Sequence, residues 1–484
     1  MHKIREKIEK VPKQLKATVI LFAASCITST MSFLLTPVFT RLMSVEEYGL
    51  VAQFISWQEI ITVIATLSLT AGVFAVAMNE FPDDRDVYTF SSLLLSAFTT
   101  TVVFGIIFIF KDFFLKLFEL PLSLVILMFL YMLLHPAMGM WLERERYEYN
   151  YKNVFIISVG STLLSQVVAV ILVMTLKNTN LGIAKAWGNY GIMALCSLGV
   201  YIYIAAKAKF KVKFKYIKYA FIFNAPLLIH YLAQYVLRST DKIMITHFWG
   251  EGATGIYSLG STVASIAILI WAAMSASLTP YMYEHINTKE YDKVNRAVVG
   301  VELIFAVGCF VVSVIGPEFV YILGSEKYME GINLIPPVAA SCLLSAVYSF
   351  YSTMAFYYHK RVSTAVLTVV AAVVNVVLNY IFIPKFGYVA AAYTTEAAYL
   401  VYTFLHFLNY RRIVGKEKVF NDKAVMGIVA ATTVLCLASG LLYDYWIVRY
   451  SLVAAILVVL VIYREKIIGL VKTLLGKNEV SADE

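Results

Sequence analysis

The chain has 484 residues, of which 60% are hydrophobic and 15% are charged, and its net charge is +9. Soluble proteins have about 25% charged residues, so this composition excludes a soluble globular protein and indicates a polytopic membrane protein. The alternating segments of about ten residues that are typical of outer-membrane barrels are absent, which leaves a bundle of transmembrane helices.

Apolar segments follow one another along the chain, beginning at Ala17. The first is too long for the core of a signal peptide, and no small-residue cleavage site follows it. A helix needs about 20 apolar residues to cross a bilayer, and about fourteen segments meet that length. They lie at 17–40, 49–78, 88–110, 121–142, 153–176, 182–206, 219–247, 254–283, 296–322, 332–357, 363–384, 388–409, 423–441 and 446–463.

Lysine and arginine are unevenly distributed between the two sides of this bundle. Alternate connecting segments contain about 30 of them on one side and about 7 on the other, and the richer side is expected to be cytoplasmic. The richer set includes the N-terminus and "KAKFKVKFKYIK" at 207–218. The pattern therefore predicts that both termini are cytoplasmic. It also explains the net positive charge, so we expect no nucleic-acid partner.

Two pairs of segments repeat at almost the same offset. "TRLMSVEEYGLVAQF" (40–54) matches "THFWGEGATGIYSLG" (246–260) at an offset of 206, and Gly182 matches Gly387 at an offset of 205. Helices 1–6 are thus predicted to repeat as helices 7–12. An even number of helices per repeat gives two parallel lobes. The predicted fold is all-α, with two parallel six-helix lobes around a central cavity plus two extra C-terminal helices.

The same pattern gives the expected organisation of the chain along its length. We expect an N-terminal lobe, a basic cytoplasmic linker, a C-terminal lobe, and a final part with helices 13 and 14 and a cytoplasmic tail. Their predicted limits are 1–206, 207–218, 219–410 and 411–484. No connecting segment is long enough to fold as a separate domain, so the function is expected to lie in the helix bundle.

Three segments resemble the signature regions of bacterial polysaccharide flippases. They read "TPVFTRLMSVEEYG" (36–49), "DKIMITHFWGEGATGIYSLG" (241–260) and "NVVLNYIFIPKFGYVAAAYTT" (375–395). These flippases belong to the multidrug/oligosaccharidyl-lipid/polysaccharide exporter superfamily, and the resemblance extends over nearly the whole chain. It implies a non-enzymatic flippase in the bacterial cytoplasmic (inner) membrane. The implied activity is alternating-access transfer of undecaprenyl-pyrophosphate-linked oligosaccharide units to the outer leaflet, for O-antigen, capsule or exopolysaccharide.

The same resemblance implies several partners and no bound cofactor. Besides the lipid-linked oligosaccharide and membrane lipids, it implies a polysaccharide polymerase and chain-length machinery. Cation antiport in some members implies H⁺ or Na⁺ as the coupling ion. The sequence contains no G-x-x-x-x-G-K-[ST] phosphate-binding loop, so nucleotide hydrolysis is not predicted.

The seventh span contains an unusual group of charges. A charge in the middle of the bilayer costs about 2.5–3.5 kcal/mol on insertion scales, so such residues usually face a cavity or a partner. Four polar side chains occupy about 80° of the surface of this helix, with Lys242 beside them. They are His230, Gln234, Arg238 and Asp241. We predict that this stripe lines a cationic cavity that binds the pyrophosphate or acidic sugars. The alternative is a structural Arg238–Asp241 pair.

Other candidates lie outside this span. Lys185 and Arg41 are predicted to add to the cationic cavity, or to reach the membrane interface as anchors. Glu59 and Glu396, inside the second and twelfth spans, are candidates together with Asp241 for coupling to H⁺ or Na⁺. The alternative for both glutamates is a carboxylate bonded to neighbouring hydroxyl groups. Glu302 lies nearer the cytoplasmic end of its span, and we expect it at the interface.

Two other functions compete with the flippase. A cation-coupled multidrug exporter of the same superfamily would favour an acidic and aromatic cavity, and such exporters often have an acidic residue in the first helix. "TVILFAASCITSTMSFLLTPVF" (18–39) has none. A membrane glycosyltransferase or polymerase usually needs a large outer domain or a long outer loop. Here the acidic outer pair, Glu46 and Glu47, lies on a loop of a few residues.

Overall fold

A computed structural model describes residues 13–176, 179–415 and 417–474 of the chain. These residues form helices and no strand. They divide into two compact units, Met1–Ser239 and Thr240–Glu484. The first twelve residues and the last ten, on which the predicted positions of the two termini depend, lie outside the described ranges.

The first unit is built from nine helices and the beginning of a tenth. A single π-helical turn, Trp187–Gly191, joins α8 to α9. The helices are α1 Lys13–Leu42, α2 Val45–Ala65, α3 Val73–Glu80, α4 Arg85–Ile109, α5 Lys111–Phe118, α6 Leu122–Tyr147, α7 Tyr151–Thr175, α8 Leu181–Ala186, α9 Ile192–Lys207 and α10 Phe214–Ala264.

The second unit begins inside α10 and contains the remaining helices. Short 3₁₀ segments at Glu326–Leu334 and Gly440–Leu442 separate some of them. The helices are α11 Ile266–Asn287, α12 Tyr291–Val314, α13 Gly316–Gly324, α14 Ile335–Tyr357, α15 Arg361–Phe386, α16 Tyr388–Val414, α17 Asp422–Ser439, α18 Trp446–Ile462 and α19 Arg464–Leu474.

The described residues contain eleven stretches that are long and apolar enough to cross a membrane, or up to twelve if a bent pair counts as one span. The chain is therefore a multi-pass membrane protein, but the expected number of fourteen is not confirmed. One reason is that Phe214–Asn287 counts once, although its backbone leaves the helical conformation at Gly250, between the expected seventh and eighth spans. A second is that α16, the predicted twelfth span, contains Glu396 and several hydroxyl groups, which make it less apolar.

Each unit uses the same pattern of helix neighbours. In the first, α6 packs against α4 and α9; in the second, α14 packs against α12 and α16. The loops repeat too. Tyr147 donates its hydroxyl hydrogen to the side chain of Asn79, and Tyr357 does the same to Asn287. The two units thus resemble one another in the way each is packed internally.

The segments that match in sequence also contact one another within each unit. In the first, Ser44 and Glu47 form a capping box at the start of α2, and the remaining Oε1 of Glu47 accepts the backbone N–H of Leu181 at 2.7 Å. In the second, the Trp249 indole donates to the carbonyl of Ile383 at 2.8 Å. The repeated segments thus join the start of α2 to the start of α8 in the first unit, and α10 to α15 in the second.

The C-terminal end of the basic linker (207–218) contacts the rest of the first unit. Lys213 and Tyr216 both donate to the carboxylate of Asp84, which lies in the loop before α4. The ring of Phe81 packs 4.8 Å from that of Tyr216 and 5.1 Å from that of Tyr219. The hydrogen bond from Lys213, followed by that from Tyr216, holds the pKa of Asp84 below its ordinary value.

Candidate functional site

The polar stripe predicted on the seventh span lies on α10, and its members differ in burial. Gln234 and Arg238 are exposed, and His230 is half-buried. Asp241 is 3% exposed. All four residues lie on one side of α10, so their position around the helix does not explain why their burial differs. What differs is the set of helices that pack against α10 along its length, and the division between the two units falls between Arg238 and Asp241.

Arg238 lies against a carboxylate of another helix. Its Nη2 is 2.9 Å from Glu59 Oε1 on α2, and Ser239 donates to the other oxygen of the same carboxylate. The guanidinium also lies 5.0 Å from the centre of the Tyr235 ring. The side chain of Arg238 is nevertheless 61% exposed. The structure thus gives Arg238 a partner on α2 and leaves much of its guanidinium accessible to a further anion.

Asp241 is surrounded by hydrogen-bond donors from three segments of the second unit. Its Oδ2 accepts from the Tyr257 hydroxyl at 2.7 Å and from Thr395 Oγ1 at 2.6 Å. Its Oδ1 accepts from Asn379 Nδ2 at 2.6 Å. Three donors can stabilise a buried carboxylate, because a buried anion without partners would cost several kcal/mol.

A second layer of amide and hydroxyl groups supports this arrangement, which we call the Asp241 network. Asn379 also donates to Asn375 at 3.2 Å, and its carbonyl oxygen accepts from Thr394. Asn375 donates to Thr395 at 3.1 Å. The carboxylate, amide and hydroxyl oxygens collected here are the donor types that hard cations prefer. The described residues contain no cluster of three or more His, Cys, Asp or Glu side chains suited to a transition metal.

Glu396, the other proposed coupling residue of the second unit, is buried at 7% exposure on α16. Two polar residues that follow it on the same helix, Thr403 and His406, contact α14. Thr403 donates to the carbonyl of Leu344 at 3.0 Å, and the His406 ring lies 5.5 Å from that of Tyr348. This part of the stripe therefore contributes to helix packing inside the unit.

Lys185 and Arg41 are both near the outer end of the first unit in the predicted topology. The ammonium of Lys185 lies 4.3 Å and 4.6 Å from the ring centres of Phe39 and Tyr48. Arg41 is exposed and donates to the carbonyl of Pro37 at 3.2 Å. The aromatic cage stabilises the lysine cation by cation–π attraction and fixes its position beside α1.

The sequence pattern missed how these residues combine. It treated Arg238 and Glu59 as separate candidates, although they form one ion pair across 179 residues. It did not select Tyr257, Thr394 or Thr395 as partners of Asp241. All three lie in the two signature segments that begin at Asp241 and Asn375, so the polar residues of those segments could have identified the partners of Asp241.

Comparison with known proteins gives matches of three kinds. The family described as polysaccharide biosynthesis protein matches residues 14–285, more than half of the chain. The Lsg locus putative protein 1 of Haemophilus influenzae is 26% identical over 161 residues, which cover 32% of this chain and 39% of that relative.

Two solved structures share the fold over most of their length. The lipid II flippase MurJ in an inward closed conformation gives a TM-score of 0.63 at 13% identity and covers 94% of this chain and 100% of its own. An inward-facing multidrug resistance MATE transporter of the MOP superfamily gives 0.59 at 14% identity, covering 82% and 94%. At this identity the likeness concerns the fold.

Proposed function

Because the chain belongs to the polysaccharide biosynthesis protein family, we propose that it is a flippase for undecaprenyl-pyrophosphate-linked oligosaccharides. Families and folds of this kind are those of transporters and flippases and not of enzymes. The proposed substrate unit serves surface polysaccharide synthesis. The proposed location is the bacterial cytoplasmic membrane, with both termini in the cytoplasm.

The exposed Arg238 on a spanning helix is the observation on which the choice of substrate depends. A guanidinium donates two parallel hydrogen bonds to phosphate oxygens, and here 61% of the side chain is accessible while one edge contacts Glu59. In our proposal, pyrophosphate competes with Glu59 for this group. The exchange leaves Glu59 without its cation, so substrate binding changes the charge balance of the first unit.

The Asp241 network supports a coupling ion in the second unit. Its carboxylate has three hydrogen bonds and lies among amide and hydroxyl oxygens. We propose that Na⁺ or H⁺ binds at this carboxylate and that its gradient drives the return of the empty transporter. Glu59 would then act on the substrate side, and Glu396 stays a weaker candidate for coupling.

Complementation of a deletion strain tests the proposal. Wild type should restore surface polysaccharide, whereas Arg238→Ala should reduce export roughly ten- to a hundredfold, as expected for loss of a charge-assisted hydrogen bond. Lipid-linked oligosaccharide should then accumulate in the inner leaflet. Lys218→Ala removes an exposed cation from the same helix and should export normally.

The conservative variant separates charge from geometry. Arg238→Lys should restore part of the export if charge alone is needed, and little if two parallel hydrogen bonds are needed. Membrane abundance of each variant is measured by immunoblot. Normal export by Arg238→Ala would remove Arg238 from the substrate site. A deletion strain with normal polysaccharide and no other flippase would favour the multidrug exporter instead.

A further inference from the structure

Glu302 is an acidic residue in the second unit for which the proposed mechanism has no use. It lies on α12 and is only 1% exposed, although its place in the sequence predicted the membrane interface. It is buried because α12 packs against α11, α14 and α17, and its depth in the membrane stays a prediction. Neither carboxyl oxygen has a hydrogen-bond partner.

The surroundings of Glu302 are apolar. Val298, Phe305 and Ala306 share its face of α12, and each is at most 4% exposed. These side chains belong to the largest apolar core of the second unit. Unlike Asp241, the carboxyl group therefore has nothing near it that would stabilise a negative charge.

One titratable group that interacts with Glu302 is the phenol of Tyr351 on α14. It is fully buried, its hydroxyl also lacks a hydrogen-bond partner, and a charge on Glu302 acts on it. Three further groups interact electrostatically with Tyr351: Tyr410 and Arg411 of α16, and Asp422 of α17. Arg411 is already paired with Asp422 at 3.3 Å. Within the described ranges, no ion pair reaches Glu302 from α11, α13, α18 or α19.

An isolated carboxylate in such a place would cost far more than a neutral acid, so in practice the group binds a proton. We propose that Glu302 is a proton-binding site of the second unit, distinct from the Asp241 network. It is protonated in this conformation and releases the proton when helix movement admits water or a cation beside α12. The role of Glu302 in transport rests on the proposed function, whereas its protonation is inferred from geometry alone.

Two carboxyl groups of one unit thus lie in opposite environments. Three donors stabilise a negative charge on Asp241, whereas neither oxygen of Glu302 has a hydrogen-bond partner. Pairs of acids whose environments differ in this way commonly have different roles in one mechanism. In our proposal the coupling ion binds at Asp241, and Glu302 is a second titratable group of the same unit that is protonated in this conformation.

Infrared difference spectroscopy of the purified protein in nanodiscs tests the protonation directly. The C=O stretch of a protonated carboxyl should be present at neutral pH in wild type and missing in Glu302→Gln. The control is Glu284→Gln, which changes an exposed glutamate at the end of α11 and should leave the band in place. A band of unchanged intensity in Glu302→Gln would overturn the proposal.

A second variant keeps the test independent of folding defects. Glu302→Met fills the same apolar space without a carboxyl group, so it should be at least as stable as wild type, because no hydrogen bond is lost. Strong destabilisation by Met would mean that Glu302 has a partner and that the proposal is wrong.

The role in transport is measured separately. Export or vesicle transport of lipid-linked oligosaccharide by Glu302→Gln should lose its dependence on pH, with protein abundance unchanged. An unchanged pH profile would leave Glu302 a neutral structural acid and overturn the coupling role. The spectroscopic result needs no substrate, so it decides the protonation state even if the proposed substrate is incorrect.

Discussion

Arg238 and Asp241 lie three residues apart, yet their surroundings impose different chemistry on them. Arg238 keeps most of its guanidinium exposed beside one carboxylate. Asp241 is almost fully buried and its oxygens accept three hydrogen bonds. An accessible cation can exchange partners quickly, whereas an enclosed anion selects by size and donor geometry. The first suits a large anionic substrate, and the second suits a small cation.

At this scale we predict the effect of Asp241→Asn. The variant keeps the shape of the side chain but removes the charge, so the site loses its attraction for a cation. Transport should then stop responding to an imposed Na⁺ or H⁺ gradient, with substrate binding retained. Reconstituted vesicles with each gradient in turn provide the measurement. Asp83→Asn, in an exposed loop, is the matched control, and a persistent response to the gradient in Asp241→Asn would contradict the assignment.

At the scale of elements, the chain segments that connect helices can pack with their main chains in close contact. Gly182 at the start of α8 is one example, since a Cβ added there would lie 2.5 Å from the backbone oxygen of Glu47. That distance is too short for any real contact, and the obstacle is a main-chain atom. Its match in the repeat, Gly387, needs glycine for a different reason, because its φ of 77° lies in the left-handed region.

Gly182→Ala should therefore destabilise the first unit by about 1–3 kcal/mol, the usual cost of overpacking. Thermal unfolding in detergent, followed by the fluorescence of a thiol-reactive dye, measures the change. Gly199→Ala on α9 is the control, because a Cβ at that position meets nothing within 4 Å. Equal melting temperatures for the two variants would mean that the α2–α8 contact is looser than described.

The end of the linker gives a prediction of pH dependence. Asp84 holds Lys213 and Tyr216, and its pKa is lowered by these bonds. A lowered pKa means that the contact stabilises the fold above the ordinary pKa of Asp, about 4. The contribution is lost only as the pH falls through the lowered value. Amide hydrogen exchange of the segment 208–219, divided by the intrinsic exchange rate at each pH, should accordingly become faster in strongly acidic buffer.

Asp84→Asn should show that faster exchange already at neutral pH and should lose the acid transition. Its neighbour Asp83 is exposed, so Asp83→Asn should behave like wild type. Slow exchange in Asp84→Asn at neutral pH would mean that the aromatic contacts of Phe81, and not the ion pair, fix the linker.

At the scale of the whole molecule, composition and repeat predicted the architecture well. Apolar length indicated helices across a membrane, and the offset near 206 indicated two similar units. The number of spans was less predictable, because Phe214–Asn287 counts as one apolar stretch, although its helix breaks at Gly250, inside the connection expected at 248–253. The partners in the site were out of reach, since the Arg238–Glu59 pair joins residues 179 apart and no local pattern encodes such a contact. The burial of Glu302 likewise depends on three neighbouring helices.

The uneven distribution of basic residues predicts the orientation of the molecule. Single cysteines placed at Lys211 and at Lys466 in a cysteine-free background should react with a membrane-impermeant maleimide only after the cell is opened. A cysteine at Glu46 should react in intact cells. Labelling of Lys211→Cys in intact cells would reverse the orientation, and with it the direction proposed for transport.

The length of α10 has a mechanical consequence. Its backbone stays helical from Phe214 until Gly250, where φ is 83°, a rod of about 54 Å. Arg238 and Asp241 lie less than one turn apart on that helix, so the two proposed binding residues are neighbours along one backbone. Thermodynamic linkage then requires reciprocity: we expect the driving cation to alter pyrophosphate affinity by the same factor as pyrophosphate alters cation affinity.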